Sequence, residues 1–173
     1  MKKVLITGAT SGIGLAISKK MLDMGYSVYG VGRDFSKIDI ASSNFYPIIC
    51  DLIKYQNIED MIKKLKKEVD IDTLINCAGV GYFGPHEEIN PTKLHKMIAL
   101  NLEAPLILTQ LLLRDLKKRK GTVINISSIT ATKAELKASL PVHPSRNGTS
   151  YKYFEGTYQK VADIEKTPLL EVG

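Results

Sequence analysis

The sequence predicts an α/β fold of the Rossmann type: a doubly wound parallel sheet in strand order 3-2-1-4-5 with helices on both faces. Two observations support this prediction. Apolar strand-like segments alternate with amphipathic helical segments up to about Ser128, as in parallel sheets that are covered on both faces. A glycine-rich loop follows the first apolar segment directly, where such sheets place a phosphate-binding turn. We expect this three-layer sheet to be incomplete at its C-terminal edge.

The strands are predicted from short runs of apolar and β-branched residues that end at turn-forming residues. Helical patterns separate them, so we expect parallel pairing through right-handed crossovers. The predicted strands are Lys3–Thr7, Ser27–Gly32, Tyr46–Cys50, Asp72–Asn76 and Thr122–Ser127.

Three helical regions lie between these strands. The first runs from about Gly12 to Met24, and the second covers Asn57–Lys67. The third begins at Asn90-Pro91, an N-cap residue followed by proline at the first helical position, and runs to about Arg119 with a local break near Pro105. The residues expected on the inward faces are Ile13, Ile17, Met21 and Met24 in the first helix and Ile58, Met61, Ile62 and Leu65 in the second.

The composition fits one globular domain. The chain has 173 residues, 44% of them apolar, and a formal net charge of +6. Part of that charge lies in Arg114–Lys120, which we interpret as a solvated helix end before Gly121, because no nucleic-acid recognition motif accompanies it. We expect no membrane-spanning segment, and the three histidines lack partners at metal-ligand spacing.

Composition also suggests the compartment and the domain boundary. Cys50 and Cys77 lie in apolar strand contexts, which favours two buried free thiols in a reducing cytoplasm. Residues 1–133 are expected to form the nucleotide-binding domain. Residues 134–173 are expected to form a loop-rich tail, because their prolines and Asn147-Gly148 interrupt any periodicity.

The loop after the first strand is the strongest candidate for a binding site. Strand, glycine loop and helix together present free backbone N–H groups to a phosphate. Gly8 allows a sharp turn, Gly12 allows close approach to a pyrophosphate, and Gly14 allows the helix to lie close to the strand. The candidate cofactor-binding residues of this loop are Gly8, Thr10, Ser11, Gly12, Ile13 and Gly14.

Residues at the ends of the next strands extend this site. Arg33 follows the second strand where NAD-binding proteins carry an acid, and it favours a 2′-phosphate and hence NADP(H) over NAD(H). Asp51 and Leu52 follow the third strand and either meet an adenine edge or serve only as a turn or cap. After the fourth strand, Asn76, Ala78 and Gly79 either approach a ribose or form a plain strand-to-loop turn.

Taken together, these residues resemble the short-chain dehydrogenase/reductase family from Lys2 to about Lys133. TGATSGIG at Thr7–Gly14 matches the family's TGxxxGIG cofactor loop, and NCAG at residues 76–79 matches its NNAG motif except at one Asn. The resemblance implies that Asn101 is the structural and proton-relay Asn and that Ser128 hydrogen-bonds the substrate carbonyl. It further implies an oxidoreductase that transfers hydride between NADP(H) and a small carbonyl or alcohol substrate.

The sequence departs from the family after Ser128. The family carries a Tyr about a dozen residues later and a Lys four positions after that Tyr, but no Tyr of this chain has a Lys at the fourth following position. We therefore expect impaired carbonyl reduction, since Ser128 alone is a poor proton donor at neutral pH. A homo-oligomer is compatible with the resemblance, although the elements that form much of the family's subunit interface are not found.

Three interpretations remain open at this point. The chain is an NADP(H)-dependent oxidoreductase, a non-catalytic NADP(H)-binding or regulatory domain, or a truncated or frame-shifted fragment of a reductase. A complete Tyr-x-x-x-Lys motif would favour the first. Cofactor binding without turnover would favour the second, and absence of any binding would favour the third.

Overall fold

The computed structural model describes residues 1–82 and 86–128. The chain divides into two compact units, Met1–Ser127 and Ser128–Gly173, and the sheet lies in the first. The predicted tail over residues 134–173 lies outside the described residues.

Five parallel strands form one open sheet in the order β3-β2-β1-β4-β5, which confirms the predicted order. Within the described residues, β3 and β5 are its edges. The observed strand ends differ from the predicted ends by two residues or fewer. The strands are β1 Lys3–Thr7, β2 Ser27–Gly32, β3 Phe45–Ile49, β4 Thr73–Asn76 and β5 Thr122–Asn125.

Helices cover both faces of this sheet. Asn90 caps the third helical region as predicted, because its side chain accepts a hydrogen bond from the Thr92 N–H at 2.8 Å. A short 3₁₀ turn covers His86–Glu88, and a π-helical segment covers Ala99–Glu103. The α-helices are α1 Gly12–Asp23, α2 Tyr55–Glu68, α3 Pro91–Ile98 and α4 Ala104–Lys118.

The larger core lies between the sheet and helices α2 and α4. All four residues predicted to face inward from α2 are buried. They pack in one cluster with Leu74 of β4 and with Leu108, Leu112 and Leu116 of α4. Lys66 of α2 also binds Asp115 of α4 at 2.6 Å, so an ion pair joins the two helices at the surface of this layer.

Helix α1 covers the opposite face, and here the predicted inward face is partly wrong. Ile17 and Met21 do pack against the core, but Ile13 is 57% exposed and Met24 is 58% exposed. The buried residues of α1 are the small Gly14 and Ser18. At Gly14 the helix lies so close to the glycine loop that a Cβ would collide with the Gly8 carbonyl.

Helical structure continues through Pro105 where a local break was expected. Pro105 stands in the first turn of α4, where a missing N–H is tolerated. The resulting continuous helix, Pro91–Lys118, is long and apolar enough by length and composition to cross a membrane, with a mean hydropathy of 1.4 in its best window. The expectation that no segment meets this criterion was therefore wrong, although the buried leucines of α4 belong to the core of the domain.

Part of the basic run after Arg114 has a structural role at the amino-terminal end of the sheet. Arg119 Nε donates to Asp72 at 2.9 Å, and Arg119 Nη1 lies 3.1 Å from Asp70. Asp72 also accepts the backbone N–H of Lys3 at 2.8 Å. This ion-pair group joins the end of α4 to the starts of β1 and β4. It therefore lies at the amino-terminal ends of the strands, whereas the glycine loop lies at their carboxyl ends.

Candidate dinucleotide site

The glycine loop and the loop after β4 touch each other at the carboxyl end of the sheet. Gly8 has a φ of +70°, and a Cβ placed there would lie 2.9 Å from the Cα of Ala78. Only glycine combines this backbone conformation with such a close approach. The first turn of the predicted cofactor loop is therefore built against the predicted ribose loop.

The amino-terminal end of α1 is open toward the carboxyl end of the sheet. Gly12 has a φ of +51°, and among the described residues no heavy atom beyond its chain neighbours and its own helix backbone lies within 4 Å of where its Cβ would stand. The Ser11 side chain makes no capping hydrogen bond, and the first turn carries no acidic residue. The first N–H groups of a helix lack intrahelical acceptors and carry partial positive charge, so this turn suits an anionic group such as a pyrophosphate.

These loops enclose a cleft of about 330 Å³ at the carboxyl ends of the strands. Most of the predicted cofactor residues line it. Sequence reasoning missed Val31, Gly32, Ile53, Leu100 and Ile126, which have no motif of their own, and it named Cys50 and Cys77 only as thiols. The predicted residues that line the cleft are Gly8, Thr10, Ser11, Gly12, Ile13, Gly14, Arg33, Asp51, Leu52, Ala78 and Gly79.

Thr7, the last residue of β1, holds the loop after β4 in place by hydrogen bonds. Its hydroxyl oxygen accepts hydrogen bonds from the backbone N–H groups of both Cys77 and Ala78, each at 3.0 Å. Thr7 is only 2% exposed, so water cannot replace this acceptor easily. The threonine that opens the TGATSGIG motif thus positions one wall of the cleft. The motif match included Thr7, but no role was assigned to this residue from the sequence.

Asn76, predicted as a cofactor-binding residue, does not line the cleft. Side chains alternate along a strand, and Asn76 pairs with Asn125 of β5, donating from Nδ2 to Asn125 Oδ1 at 2.8 Å. The Asn76 backbone oxygen also accepts the Ile126 N–H at 2.8 Å. Asn76 therefore joins β4 to β5, and its neighbour Cys77 takes the position in the cleft wall.

Asn101, the predicted catalytic asparagine, lies in the middle of the π-helical segment. Its Nδ2 donates to the Val80 carbonyl at 2.8 Å, and its Oδ1 accepts the Val80 N–H at 2.9 Å. A π-helical turn inserts one extra residue into a helix and often marks a functional site. Here it places Asn101 against the chain that leaves β4, directly after Gly79.

Ser128, the other predicted catalytic residue, is exposed and follows β5 by three residues. It is the first residue of the second unit, whereas the residues that line the cleft belong to the first unit.

The charged residues Arg33, Asp34 and Asp51, which lie in or beside the cleft, make different contacts. Arg33 lines the cleft and is exposed. Its neighbour Asp34 does not line the cleft, and its carboxylate accepts the Ser36 N–H at 2.8 Å, which lowers the Asp34 pKa. Asp51 lines the cleft and also accepts the Ile53 N–H at 3.2 Å, so the turn and the cleft both use it.

Two thiols complete the lining. Burial raises the pKa of Cys50 to about 11, with the Asp51 charge adding to the effect, and burial also raises the pKa of Cys77. Both remain protonated at neutral pH and therefore are poor nucleophiles. Among the described residues, no group of three or more metal-ligating side chains occurs. The cleft therefore offers backbone amides, hydroxyls, one guanidinium and one carboxylate, which are groups for holding a nucleotide.

Comparison with known proteins agrees with this geometry. The family model described as short chain dehydrogenase matches residues 2–140. The chain is 34% identical over 135 residues to a probable NADP-dependent dehydrogenase of Haemophilus influenzae, covering 74% of this chain and 54% of that protein. It is 32% identical over 136 residues to D-beta-hydroxybutyrate dehydrogenase of Cupriavidus necator, covering 73% of this chain and 53% of that protein.

Solved structures show the same likeness. A short-chain dehydrogenase from Leptospira borgpetersenii with bound NAD+ superposes with a TM-score of 0.73 and 27% identity, covering 79% of this chain and 55% of that chain. A metagenomic short-chain oxidoreductase in complex with NADP gives a TM-score of 0.67 and 32% identity, covering 73% of this chain and 61% of that chain. The chain spans about half the length of the curated relatives it matches. On its motifs, its fold and the match over residues 2–140, the chain belongs to the short-chain dehydrogenase family.

Proposed function

We propose that this chain binds NADP(H) in the cleft at the carboxyl ends of β1, β2 and β4. One observation favours NADP(H) over NAD(H): Arg33 lines the cleft, whereas the neighbouring Asp34 is turned to the Ser36 N–H and does not. A guanidinium suits a 2′-phosphate, and a carboxylate in that place would suit a ribose hydroxyl pair. The relatives do not decide this point, since one is named for NADP and one structure holds NAD+.

The cleft residues divide by the part of the cofactor that their chemistry suits. We assign the pyrophosphate to the N–H groups at Gly12, Ile13 and Gly14, with Ser11 and Thr10 beside them. In this assignment Asp51 and Leu52 flank the adenine. Ala78 and Gly79 flank the nicotinamide ribose, and Gly8 packs against the loop that carries them. Asn76 supports this wall from the strand.

The reaction that we propose for the family member is hydride transfer between NADP(H) and a small carbonyl or alcohol substrate. The nicotinamide supplies or accepts the hydride when it is bound. In this assignment Ser128 hydrogen-bonds the substrate carbonyl, and Asn101 holds the chain at Val80 while contributing to proton relay. No Tyr of the 173 residues is followed by Lys at the fourth position, so we further propose that this chain binds the cofactor but reduces carbonyls poorly.

A fluorescence titration tests the binding proposal. NADPH and NADH are titrated into the unaltered chain, into Arg33→Ala and into Arg114→Ala, an exposed arginine of α4 that does not line the cleft. We expect tighter binding of NADPH than of NADH and a loss of NADPH affinity of about tenfold or more in Arg33→Ala, because an ionic contact to phosphate is lost. Equal binding of both nucleotides, or equal effects of the two substitutions, would contradict the assignment of Arg33.

Turnover distinguishes the enzyme from the non-catalytic domain. Oxidation of NADPH is followed at its near-ultraviolet absorbance with a panel of simple aldehydes and ketones. Binding without turnover supports the non-catalytic interpretation, in which the cofactor cleft is used for binding or regulation. Turnover at rates of about 1 per second or more, which is common for enzymes, would refute the proposed impairment.

Compartment, partners and domain extent follow as further proposals. Cys50 and Cys77 are both unpaired thiols, which fits a reducing compartment, and we propose the cytoplasm. We propose a small-molecule substrate and no nucleic-acid or membrane partner. Residues 1–133 remain our proposed cofactor-binding domain, with the tail over residues 134–173 as a separate segment.

A further inference from the structure

The aromatic ring of Tyr82 carries a cation over one face. The ammonium nitrogen of Lys93, in the first turn of α3, lies 5.4 Å from the centroid of that ring. A cation within about 6 Å of the centre of a tyrosine ring is attracted by the quadrupole of the ring. Tyr82 is half-buried and follows the loop after β4, whereas Lys93 is exposed. This cation–π contact therefore joins the chain that leaves the cleft wall to the start of α3.

Lys93 stands where a helix disfavours a cation. The first turn of a helix carries partial positive charge, which repels an ammonium group. Within the described part of the chain, Lys93 makes no ion pair that would offset this repulsion. The backbone of Lys93 is fixed, because its N–H donates to the Asn90 carbonyl at 2.8 Å. The ring of Tyr82 is thus the group that stabilises this charge, and it is held from a rigid helix start.

The contact is the second of two attachments between this segment and the same helical region. Val80 is the first, because it exchanges two hydrogen bonds with the side chain of Asn101. Gly81 lies between the two attachments and is exposed. Lys93 precedes Asn101 by eight positions, which is about 12 Å of helix. The segment from Val80 to Tyr82 therefore runs along the helix toward its start.

The two attachments support each other. The hydrogen bonds between Val80 and Asn101 are exposed, so water competes with them. While Lys93 holds Tyr82, the Val80 groups stay close to their partner and re-form these bonds readily, as in any two-point attachment. Gly79 precedes Val80 and lines the cleft, and a Cβ placed on it would lie 3.4 Å from Asn101 Oδ1. Loss of the cation–π contact therefore reaches the cleft wall through Val80.

We infer that Tyr82 and Lys93 are positioning residues for the nicotinamide end of the cofactor. Their contact holds the segment that carries Gly79, which flanks the nicotinamide ribose in the proposed function. This inference rests on the proposed function and deepens it. Gly79 follows β4, whereas Arg33 follows β2, which is two strands away in the sheet. The adenine end of the cofactor therefore does not depend on the cation–π contact.

The test compares two ligands that share the adenine end. NADPH carries the nicotinamide half, and adenosine 2′,5′-bisphosphate lacks it. Lys93→Met and Tyr82→Leu each remove one partner, so both are expected to lower NADPH affinity about two- to fivefold, as befits an exposed cation–π contact. Lys96→Met is the control, because Lys96 is an exposed lysine of the same helix and its loss changes the net charge equally. Affinity for the bisphosphate, measured by calorimetry, is expected to match that of the control in both variants.

Conservative replacements show whether the contact itself is responsible. Lys93→Arg keeps a cation and Tyr82→Phe keeps a ring, so both are expected to retain the NADPH affinity of the unaltered chain. Lys93→Met combined with Tyr82→Leu is expected to lower NADPH affinity no further than either change alone. Thermal unfolding of each variant is recorded in parallel. If Tyr82→Leu does not fold, Lys93→Met carries the test, because Lys93 is exposed.

A loss of NADPH affinity that is confined to the variants without the contact, and is absent for the bisphosphate, supports the inference. Additive losses in the combined variant, equal losses for both ligands, or equal NADPH affinity in Lys93→Met and Lys96→Met overturn it while the proposed function stands. Failure of the unaltered chain to bind NADPH overturns both.

Discussion

Asn101 and Val80 hold each other through two reciprocal hydrogen bonds, from the Asn101 amide to the Val80 carbonyl at 2.8 Å and from the Val80 N–H to the Asn101 carbonyl oxygen at 2.9 Å. Only an amide side chain provides a donor and an acceptor with this spacing. The π-helical segment supplies the extra residue that brings Asn101 to this place. The chain after β4 is thereby tied to the helix that crosses in front of it.

Replacement of Asn101 is therefore expected to loosen the loop that carries Gly79. Asn101→Ala removes both hydrogen bonds and is expected to lower the free energy of unfolding by about 1 to 3 kcal/mol. Asn101→Asp keeps an acceptor but loses the donor, and its carboxylate lies near the Val80 carbonyl oxygen. Urea unfolding of both variants measures the change, with Gln110→Ala, an exposed residue of α4, as the control. Equal stability of Asn101→Ala and Gln110→Ala would show that the two hydrogen bonds contribute nothing.

Thr7 offers a matched pair of substitutions. Thr7→Val keeps the shape of the side chain but leaves the N–H groups of Cys77 and Ala78 without their buried acceptor, whereas Thr7→Ser keeps the hydroxyl. We expect Thr7→Val to destabilise the protein by about 1 to 3 kcal/mol in urea unfolding, because two partly buried donors lose their acceptor. Thr7→Ser is expected to cost less, since only a methyl is lost. A larger loss in Thr7→Ser than in Thr7→Val would refute the role of the hydroxyl.

The sequence anticipated the sheet well because strand patterns in a doubly wound fold are short, apolar and bounded by turns. It anticipated α1 less well for a physical reason. A helix that lies close to a glycine loop buries small residues, here Gly14 and Ser18, and leaves Ile13 exposed. The hydrophobic pattern therefore indicated the wrong side at the start of that helix.

Two features of the site had no sequence signal of their own. The π-helical segment at Ala99–Glu103 adds one residue to a turn, which does not disturb a hydrophobic period that is already approximate. The placement of Asn76 depends on strand alternation at the junction of β4 with its loop, and a one-residue difference there turns a side chain from the cleft to the neighbouring strand. The cofactor loop itself was predictable because its glycines are required by backbone geometry.

Asp72 makes stability depend on acid pH. Burial acts to raise its pKa, but the Lys3 N–H and the Arg119 guanidinium together lower it on balance. A carboxyl whose folded pKa is depressed contributes stability that is present above its unfolded pKa and is lost as the pH falls through its folded pKa. We therefore expect the melting temperature to fall below about pH 4, and less steeply in Asp72→Asn. Asp39→Asn, at an exposed loop position, is the control, and identical pH profiles for all three proteins would contradict this origin of the acid sensitivity.

The cleft thiols are expected to react slowly. Burial raises the pKa of Cys50 to about 11, so at pH 8 the reactive thiolate is scarce and the sulfur is also shielded. Reaction with a disulfide reagent is followed in the unaltered chain, in Cys50→Ser and in Cys77→Ser, each folded and in urea. We expect both thiols to react much faster in urea, and the less buried Cys77 to react before Cys50 in the folded state. Fast reaction of Cys50 in the folded protein would contradict its burial.

The Asn76–Asn125 pair predicts an asymmetry between its two members. Asn76 is 4% exposed, and among the described residues its Oδ1 has no hydrogen-bond partner, whereas Asn125 is exposed. Asn125→Ala leaves the buried Asn76 amide group without its acceptor, so we expect a loss of about 1 to 3 kcal/mol in the free energy of unfolding.

Asn76→Leu has a different expected outcome. It removes a buried amide that is only half satisfied and replaces it with an apolar side chain of similar size, while the exposed Asn125 turns to water. We expect this change to be near neutral or stabilising, because removing a poorly paired buried polar group avoids its desolvation cost. Urea unfolding of the two single variants and of their combination measures the difference. A larger loss of the free energy of unfolding in Asn76→Leu than in Asn125→Ala would contradict this expectation. It would show that Asn76 has a buried partner beyond Asn125 and that its side-chain oxygen Oδ1 is satisfied.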